Sequence, residues 1–319
     1  MKVCVVGAGA IGGLIGGRLA MAGQAEVSAL ARGATLQALQ RHGWRVRSEG
    51  VLRVSEVRAS DDAAALGPHD LVVIAVKGQA LTDVAGRIQP LLGPETIVLP
   101  AMNGVPWWFH EGLQSVDPGG AIARAIPAEQ VVGCVVHASA STSEPGLVEH
   151  QRGQGLIIGE PKGGASQRVQ GLAALLGGAG FDVTVSPDVR KDIWYKLWGN
   201  LSTNPVSALT GATTDRIIAD PLVSRFCIDV MAEAKAIGER IGCELPQSPE
   251  QRHEVTRRLG AFKTSMLQDA EAGRALELDP IVGAVRELGE RLGVPTPHID
   301  ALYGLTRLFA RVRGLYPAA

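Results

Sequence analysis

A lysine and two asparagines recur four residues apart in "KLWGNLSTNP": Lys196, Asn200 and Asn204. Residues at that spacing stack on one face of a helix. Asparagine is a poor helix former, so the stripe calls for a reason other than helix stability. An ammonium group, with a reference pKa of about 10.4, stays protonated at neutral pH. It can stabilise negative charge growing on an oxygen and deliver a proton to it. Amide groups can hold a carboxylate without competing for that proton. Further along, Ser265 offers a hydroxyl. Glu277 lies just before Asp279-Pro280, which reads as an N-cap followed by the first helical residue.

A second constellation opens the chain. "GAGAIG" places Gly7, Gly9 and Gly12 in the GxGxxG spacing, directly after the apolar run Val3 to Val6. The first glycine permits a tight turn, the second lets backbone approach a pyrophosphate, and the third lets a helix pack close to a strand. Backbone N–H groups of Ala8, Ala10 and Ile11 would join the glycines at the phosphates, where a helix N-terminus is positive. About 20 residues on, NAD binders carry an acid for the ribose hydroxyls. Here "SALAR" ends in Arg32, which can pair with a 2′-phosphate. The expected cofactor is therefore NADP(H). Lys77 ends "DLVVIAVK" and Asn103 ends "TIVLPAMN", positions where open α/β sheets bind ligands.

These residues need elements to hold them. Strands alternating with helices up to "DVTVS" imply a parallel sheet with crossovers, and "VVGCVVHASAST" and "GLIIGE" read as strands extending that sheet. The small-residue stretch after "GAGAIG" reads as a helix to about Ala22. From Pro187 onward the periodicity is helical, with candidates in "DVRKDIWYKLWGNL", "PLVSRFCIDVMAEAKAIGERIG", "EVTRRLGAFKTSMLQDAEAG" and "PIVGAVRELGERLG". The expected class is α/β: an N-terminal Rossmann-type dinucleotide-binding domain over residues 1–187 and an all-α domain over 188–319. The segment from Pro106 to Gln130, with Trp107, Trp108 and Phe109, fits neither pattern. Its aromatic residues suit a substrate wall or a core equally.

Composition narrows the function classes. A formal net charge of -1, from 31 Lys+Arg against 32 Asp+Glu, leaves no nucleic-acid footprint and no polybasic membrane patch. No apolar run of about 20 residues suggests a membrane span. The N-terminal apolar run is dense in glycine and broken by Arg18, which favours a nucleotide-binding turn over a signal peptide. The four cysteines form no CxxC pair, so free thiols in a reducing, cytoplasmic setting are expected. The seven histidines lack ligand spacing and no metal is expected.

The motifs "GAGAIG", "VKGQ", "MNGV", "WYKLWGNLSTNP" and "TSMLQDAEAGRALELD", in this order, resemble the ketopantoate reductase (2-dehydropantoate 2-reductase) family across nearly the whole chain. That resemblance implies NADPH-dependent reduction of 2-dehydropantoate to (R)-pantoate, in the pantothenate route to coenzyme A. It implies Lys196 as general acid and Asn103, Asn200, Asn204 and Ser265 on the substrate. Glu277 would serve near both cofactor and substrate, and Ser139 would join the cofactor residues. Where some relatives place another asparagine, "TGATTDR" offers Thr214. A shorter donor there suits a different 2-oxo acid. A relative acting on another keto acid, a non-catalytic NADP(H) sensor and a flavin-binding domain are the other readings. The helical half offers surface for a homodimer.

Overall fold

The computed structural model describes residues 1–258 and 260–317. By contact the chain forms two compact units. The first comprises Met1–Met102, Trp107–Phe109 and Gly119–Asp192. The second comprises Asn103–Pro106, His110–Pro118 and the chain from Ile193 onward.

In the first unit, β1 (Lys2–Val6), β2 (Glu26–Leu30), β5 (Arg58–Ser60), β6 (His69–Ile74) and β7 (Leu92–Pro100) form a sheet in the order β5-β2-β1-β6-β7. Every pairing in it is parallel. The chain runs outward from β1 through β2 and β5, then returns to β6 on β1's other side. The crevice at this reversal, beyond the carboxyl end of β1, is where such sheets bind ligands.

A second sheet was not foreseen. β3 (Trp44–Ser48) and β4 (Val51–Ser55) form a hairpin, and β3 pairs in parallel with β9 (Leu147–Gly159). β9 also carries antiparallel β8 (Gly133–Glu144) and parallel β10 (Asp182–Val185). The expectation that β8 and β9 lengthen the first sheet is thus corrected. The reason lies in α1 (Ala10–Ala22), which is buried on both sides. Leu14, Ile15 and Leu19 share one core with Val3 and Val5 of the first sheet and Val46, Val136 and Val148 of the second. A Cβ at Gly16 would stand 2.6 Å from the Trp44 ring, and one at Gly17 2.5 Å from Val46. The glycines let the second sheet close over the helix. α2 (Gly33–His42), α3 (Ala63–Leu66), α4 (Leu81–Arg87), α5 (Ala121–Ala125) and α6 (Gln167–Gly178) complete this unit.

The second unit is helical. It holds most of α7 (Val189–Thr210), then α8 (Thr214–Ala219), α9 (Pro221–Arg240), α10 (Pro249–Arg257), α11 (Ser265–Glu271), α12 (Ala284–Leu292) and α13 (Pro297–Val312). α7 continues through Pro205. The single helix expected from "EVTRRLGAFKTSMLQDAEAG" is instead two, α10 and α11. Gly260 at φ +64 and a new cap, Thr264 accepting from the Leu267 N–H, lie between them. No described helix is long and apolar enough to cross a membrane.

Candidate active site

The glycine turn after β1 has the backbone that its residue types require. Gly7 sits at φ +90, a left-handed conformation natural to glycine. A Cβ on Gly12 would fall 2.1 Å from the Gly7 carbonyl oxygen and 2.9 Å from Ala75 Cβ. Gly9, the N-cap of α1, makes no side-chain cap, and the first turn holds no acid. The early N–H groups of α1, those of Ala10, Ile11 and Gly12, thus lack capping partners of the kind helix ends need. Nothing approaches within 4 Å of a Cβ built on Gly9. Open space over an uncapped, acid-free helix terminus suits a pyrophosphate.

This turn lines a cleft of about 210 Å³ with Leu30, Ala31, Arg32, Thr35 and Arg87. Ala31 is buried and hydrogen-bonds to Ser60, whereas Arg32 is exposed at the start of α2. Arg87 donates to the Asp61 carbonyl oxygen at 3.4 Å. Two guanidinium groups and a hydroxyl beside the end of β2 make a basic rim. Sequence reasoning found Arg32 but missed Thr35 and Arg87. Arg87 ends a helix far along the chain, where an arginine looks like any solvated surface residue.

In the second unit, the Lys196 ammonium donates to Asn103 Oδ1 at 2.9 Å. Asn103 lies in the segment Asn103–Pro106, past the end of β7. That segment is tied to the chain beyond Glu277. The Val105 N–H donates to the Pro280 carbonyl oxygen at 2.7 Å, and a Cβ on Gly104 (φ +82) would stand 2.4 Å from the same oxygen. Only glycine fits there. Lys196, Asn200 and Asn204 do share one helix. The helix is seated by buried Leu197, Trp198 and Leu201, and the Trp198 indole donates to the Met231 carbonyl oxygen at 2.7 Å. Asn204 is only 4% exposed. Neither its amide nor that of Asn200 makes a hydrogen bond to another described residue. Both amides therefore remain available to hydrogen-bond a ligand.

Glu277 is half-buried. The expected N-cap role of Asp279 is corrected: the cap is Leu278, and Asp279 is already inside a π-helical turn, Asp279–Gly283. Its carboxylate instead accepts from two tyrosines, Tyr303 at 2.9 Å and Tyr316 at 2.7 Å. Burial first, then contact with Tyr303 and Asp279, pushes the Tyr316 hydroxyl strongly upward, so it stays a donor. The Leu276 N–H also bonds to the Leu315 carbonyl oxygen at 2.9 Å. The Leu276 backbone on one side of Glu277 and the Asp279 side chain on the other are therefore pinned to α13 and the residues after it, a clamp that no motif announces.

Other expected residues lie differently. Ser265 is exposed as the first residue of α11. Lys77 is half-buried and caps a short 3₁₀ turn after β6. Ser139, on β8 of the second sheet, donates to Gln151 Oε1 at 2.9 Å. Thr214 is 1% exposed. Its hydroxyl donates to the Gly260 carbonyl oxygen at 2.7 Å and accepts from the Phe262 N–H at 3.3 Å. It fastens α8 to the loop before α11.

Trp107 and Phe109 are buried in the first unit, Trp107 against Val72, Ile74 and Val98. They are core residues rather than a substrate wall. The following stretch joins the second unit, where Glu287 accepts from the N–H of Gln114 and from both the N–H and the hydroxyl of Ser115.

With this geometry in hand, likeness to known proteins is informative. The ketopantoate reductase (PanE/ApbA) family model matches residues 3–163, and the model of that family's C-terminal region matches residues 188–310. The chain belongs to the ketopantoate reductase family. It is accordingly an oxidoreductase. It is 44% identical to the 2-dehydropantoate 2-reductase of Mesorhizobium japonicum, over 99% of this chain and 100% of that one. A crystal structure described as a ketopantoate reductase from Ralstonia solanacearum superposes with a TM-score of 0.96 at 57% identity, covering 99% of both chains. D-mandelate dehydrogenase, solved with NADH, shares the fold at a TM-score of 0.87 and 20% identity.

Proposed function

We propose that this ketopantoate reductase family member reduces 2-dehydropantoate to (R)-pantoate with NADPH, using Lys196 as general acid. The observation that carries the reading is the 2.9 Å contact between Lys196 and Asn103, on the helix that also bears two amides without protein partners. The curated relatives bearing the 2-dehydropantoate 2-reductase name support it.

NADPH, when bound, would supply the hydride to the ketone carbon. Residues 1–187 would bind it: the turn from Gly7 through Ala8, Gly9, Ala10 and Ile11 to Gly12 takes the pyrophosphate. Arg32 takes the 2′-phosphate, with Thr35 and Arg87 beside it, and Lys77, Asn103, Ser139 and Glu277 complete the cofactor set.

Residues 188–319, with Asn103, would do the acid chemistry. As the ketone oxygen gains negative charge, the Lys196 ammonium stabilises it and then passes its proton to that oxygen. Asn103 Oδ1 aims the ammonium. Amide donors from Asn200 and Asn204 and the Ser265 hydroxyl hold the substrate carboxylate and hydroxyl. Glu277, held by the Asp279 clamp, would serve near both cofactor and substrate. Thr214, whose hydroxyl also fastens α8 to the loop before α11, stands where some relatives place a further substrate-binding asparagine and is assigned to the substrate site with them.

All four cysteines are buried and outside any disulfide. Burial pushes the Cys4 thiol up to about 11 and the Cys227 thiol up to about 12, so neither is a nucleophile at neutral pH. This fits a cytoplasmic enzyme.

Absorbance at 340 nm with NADPH against a panel of 2-oxo acids tests the reading. Turnover should be fastest with 2-dehydropantoate. Faster turnover of another acid would reassign the substrate, and NADPH binding without turnover of any would point to a sensor.

A further inference from the structure

Arg252, on α10, is a cation that the second unit surrounds without pairing. It is half-buried, and among the described residues no carboxylate forms an ion pair with it. Of its five N–H donors, one meets an acceptor, Nη1 to Thr256 Oγ1 at 3.3 Å. The Nε–H is buried with no partner. Burial pushes the guanidinium below its ordinary value, yet arginine stays protonated in proteins. Arg168, by contrast, is met by the Glu160 carboxylate. A desolvated cation is costly unless an anion offsets its lost hydration.

The place of this cation is fixed. α10 opens on a capping box in which Ser248 and Gln251 bond reciprocally. Just before it, the Gln247 side chain accepts from the Tyr195 hydroxyl at 3.0 Å. The guanidinium lies over the Tyr195 ring, 5.1 Å from its centre. Its Nη2 end rests on α7 at Gly199, where an added Cβ would stand 2.3 Å from it. Glycine is unfavourable inside a helix, and here the guanidinium fills the space a side chain would need. Gly199 is three residues past Lys196, so the two are neighbours on one helix face.

We propose that Arg252 is the counter-charge for the substrate's carboxylate and makes the site select free 2-oxo acids over their uncharged amides and esters. The inference rests on the reading of α7 as the catalytic helix and supplies a charge which that reading lacks. Asn200, Asn204, Thr214 and Ser265 are neutral, and Lys196 is committed to the ketone oxygen. In a 2-oxo acid the carboxyl carbon is bonded directly to the ketone carbon. A cation one helical turn from Lys196 is therefore where the carboxylate needs it. Arginine keeps its proton and does not compete with Lys196 as the acid. Its paired N–H groups also match the two oxygens of a carboxylate.

Calorimetric titration of (R)-pantoate and of its uncharged amide into the NADP⁺-saturated chain tests this. The wild type should bind pantoate about 10- to 150-fold more tightly than the amide. Arg252→Met keeps a stem to pack on Tyr195 and removes the charge. It should weaken pantoate by that factor and leave the amide within about twofold, which abolishes the preference. KM for 2-dehydropantoate should rise in parallel while KM for NADPH holds. Arg252→Lys, which keeps a point charge, should recover part of the preference. Gly199→Ala should reduce it by displacing the guanidinium, with no fall in melting temperature, because the clash is with the movable end of a side chain.

An Arg252→Met variant that loses acid and amide binding equally would make the residue structural and overturn the proposal. A variant that keeps the preference, or a wild type that lacks it, would overturn it too. Failure of the catalytic reading looks different: the wild type would prefer pantoate to the amide through Arg252 yet not oxidise NADPH with 2-dehydropantoate.

Discussion

The glycine turn yields a prediction in which stability and cofactor binding separate. In Gly12→Ala the new Cβ would stand 2.1 Å from the Gly7 carbonyl oxygen, more than 1 Å inside ordinary contact distance. Neither atom is at the end of a flexible side chain, so α1 must move away from β1. Overpacking of this kind costs about 1–3 kcal/mol, which lowers the melting temperature of a chain this size by several degrees.

Gly9→Ala is the converse. Gly9 has φ -78, which alanine adopts freely, and no atom lies within 4 Å of its Cβ position. The apo protein should therefore keep its stability to within about 1 kcal/mol. The methyl group would occupy the space assigned to the pyrophosphate. A steric cost of about 1–3 kcal/mol there weakens NADPH roughly 5- to 150-fold. Differential scanning fluorimetry of the apo variants and KM for NADPH at 340 nm measure both quantities. A Gly9→Ala variant that binds NADPH as the wild type does would remove the turn from the cofactor site.

Arg32→Asp should cost NADPH about 1.5–3 kcal/mol of charge-assisted bonding, a loss of roughly 10- to 150-fold in kcat/KM, and should spare NADH. An unchanged NADPH/NADH ratio contradicts that role. Tyr316→Phe removes one donor from Asp279 and should destabilise the protein by about 1.5–3 kcal/mol. If the clamp positions Glu277, kcat should also fall while KM for NADPH holds; a change in stability alone would show that it does not. Hydrogen bonds from Arg168 hold the Glu160 carboxyl below the usual range, outweighing burial. That stabilisation is complete above the unfolded value of about 4.3 and disappears as pH falls through the lower folded value. Glu160→Gln should flatten the loss of thermal stability below that pH, and parallel curves for variant and wild type would contradict the assignment.

What could be read from the sequence was whatever local rules dictate. The turn at Gly7 to Gly12 and the four-residue spacing of Lys196, Asn200 and Asn204 follow from periodicity and backbone geometry. So does the parallel sheet carrying Lys77 and Arg32. The second sheet was not legible, because β3 pairs with β9 across some hundred residues and each strand alone reads like any other. The break between α10 and α11 depends on Thr264, whose cap shows only once Leu267 is placed. The Asp279 clamp draws its tyrosines from α13 and the chain after it, so Asp279-Pro280 looked like an ordinary helix start. Trp107 and Phe109 resemble a binding surface on paper because aromatic clusters serve cores and pockets alike. Their burial decides between the two. The bonds from the Thr214 hydroxyl to Gly260 and Phe262 likewise depend on tertiary contacts that no spacing announces.

The central claim is that Lys196 delivers the proton. Single-turnover oxidation of NADPH with 2-dehydropantoate, comparing wild type with Lys196→Ala, tests it most directly when NADPH affinity is measured by fluorescence on the same samples. Loss of a general acid should slow the step by about 10²- to 10⁴-fold while leaving NADPH affinity within about twofold. A Lys196→Ala enzyme that turns over at the wild-type rate would contradict the account.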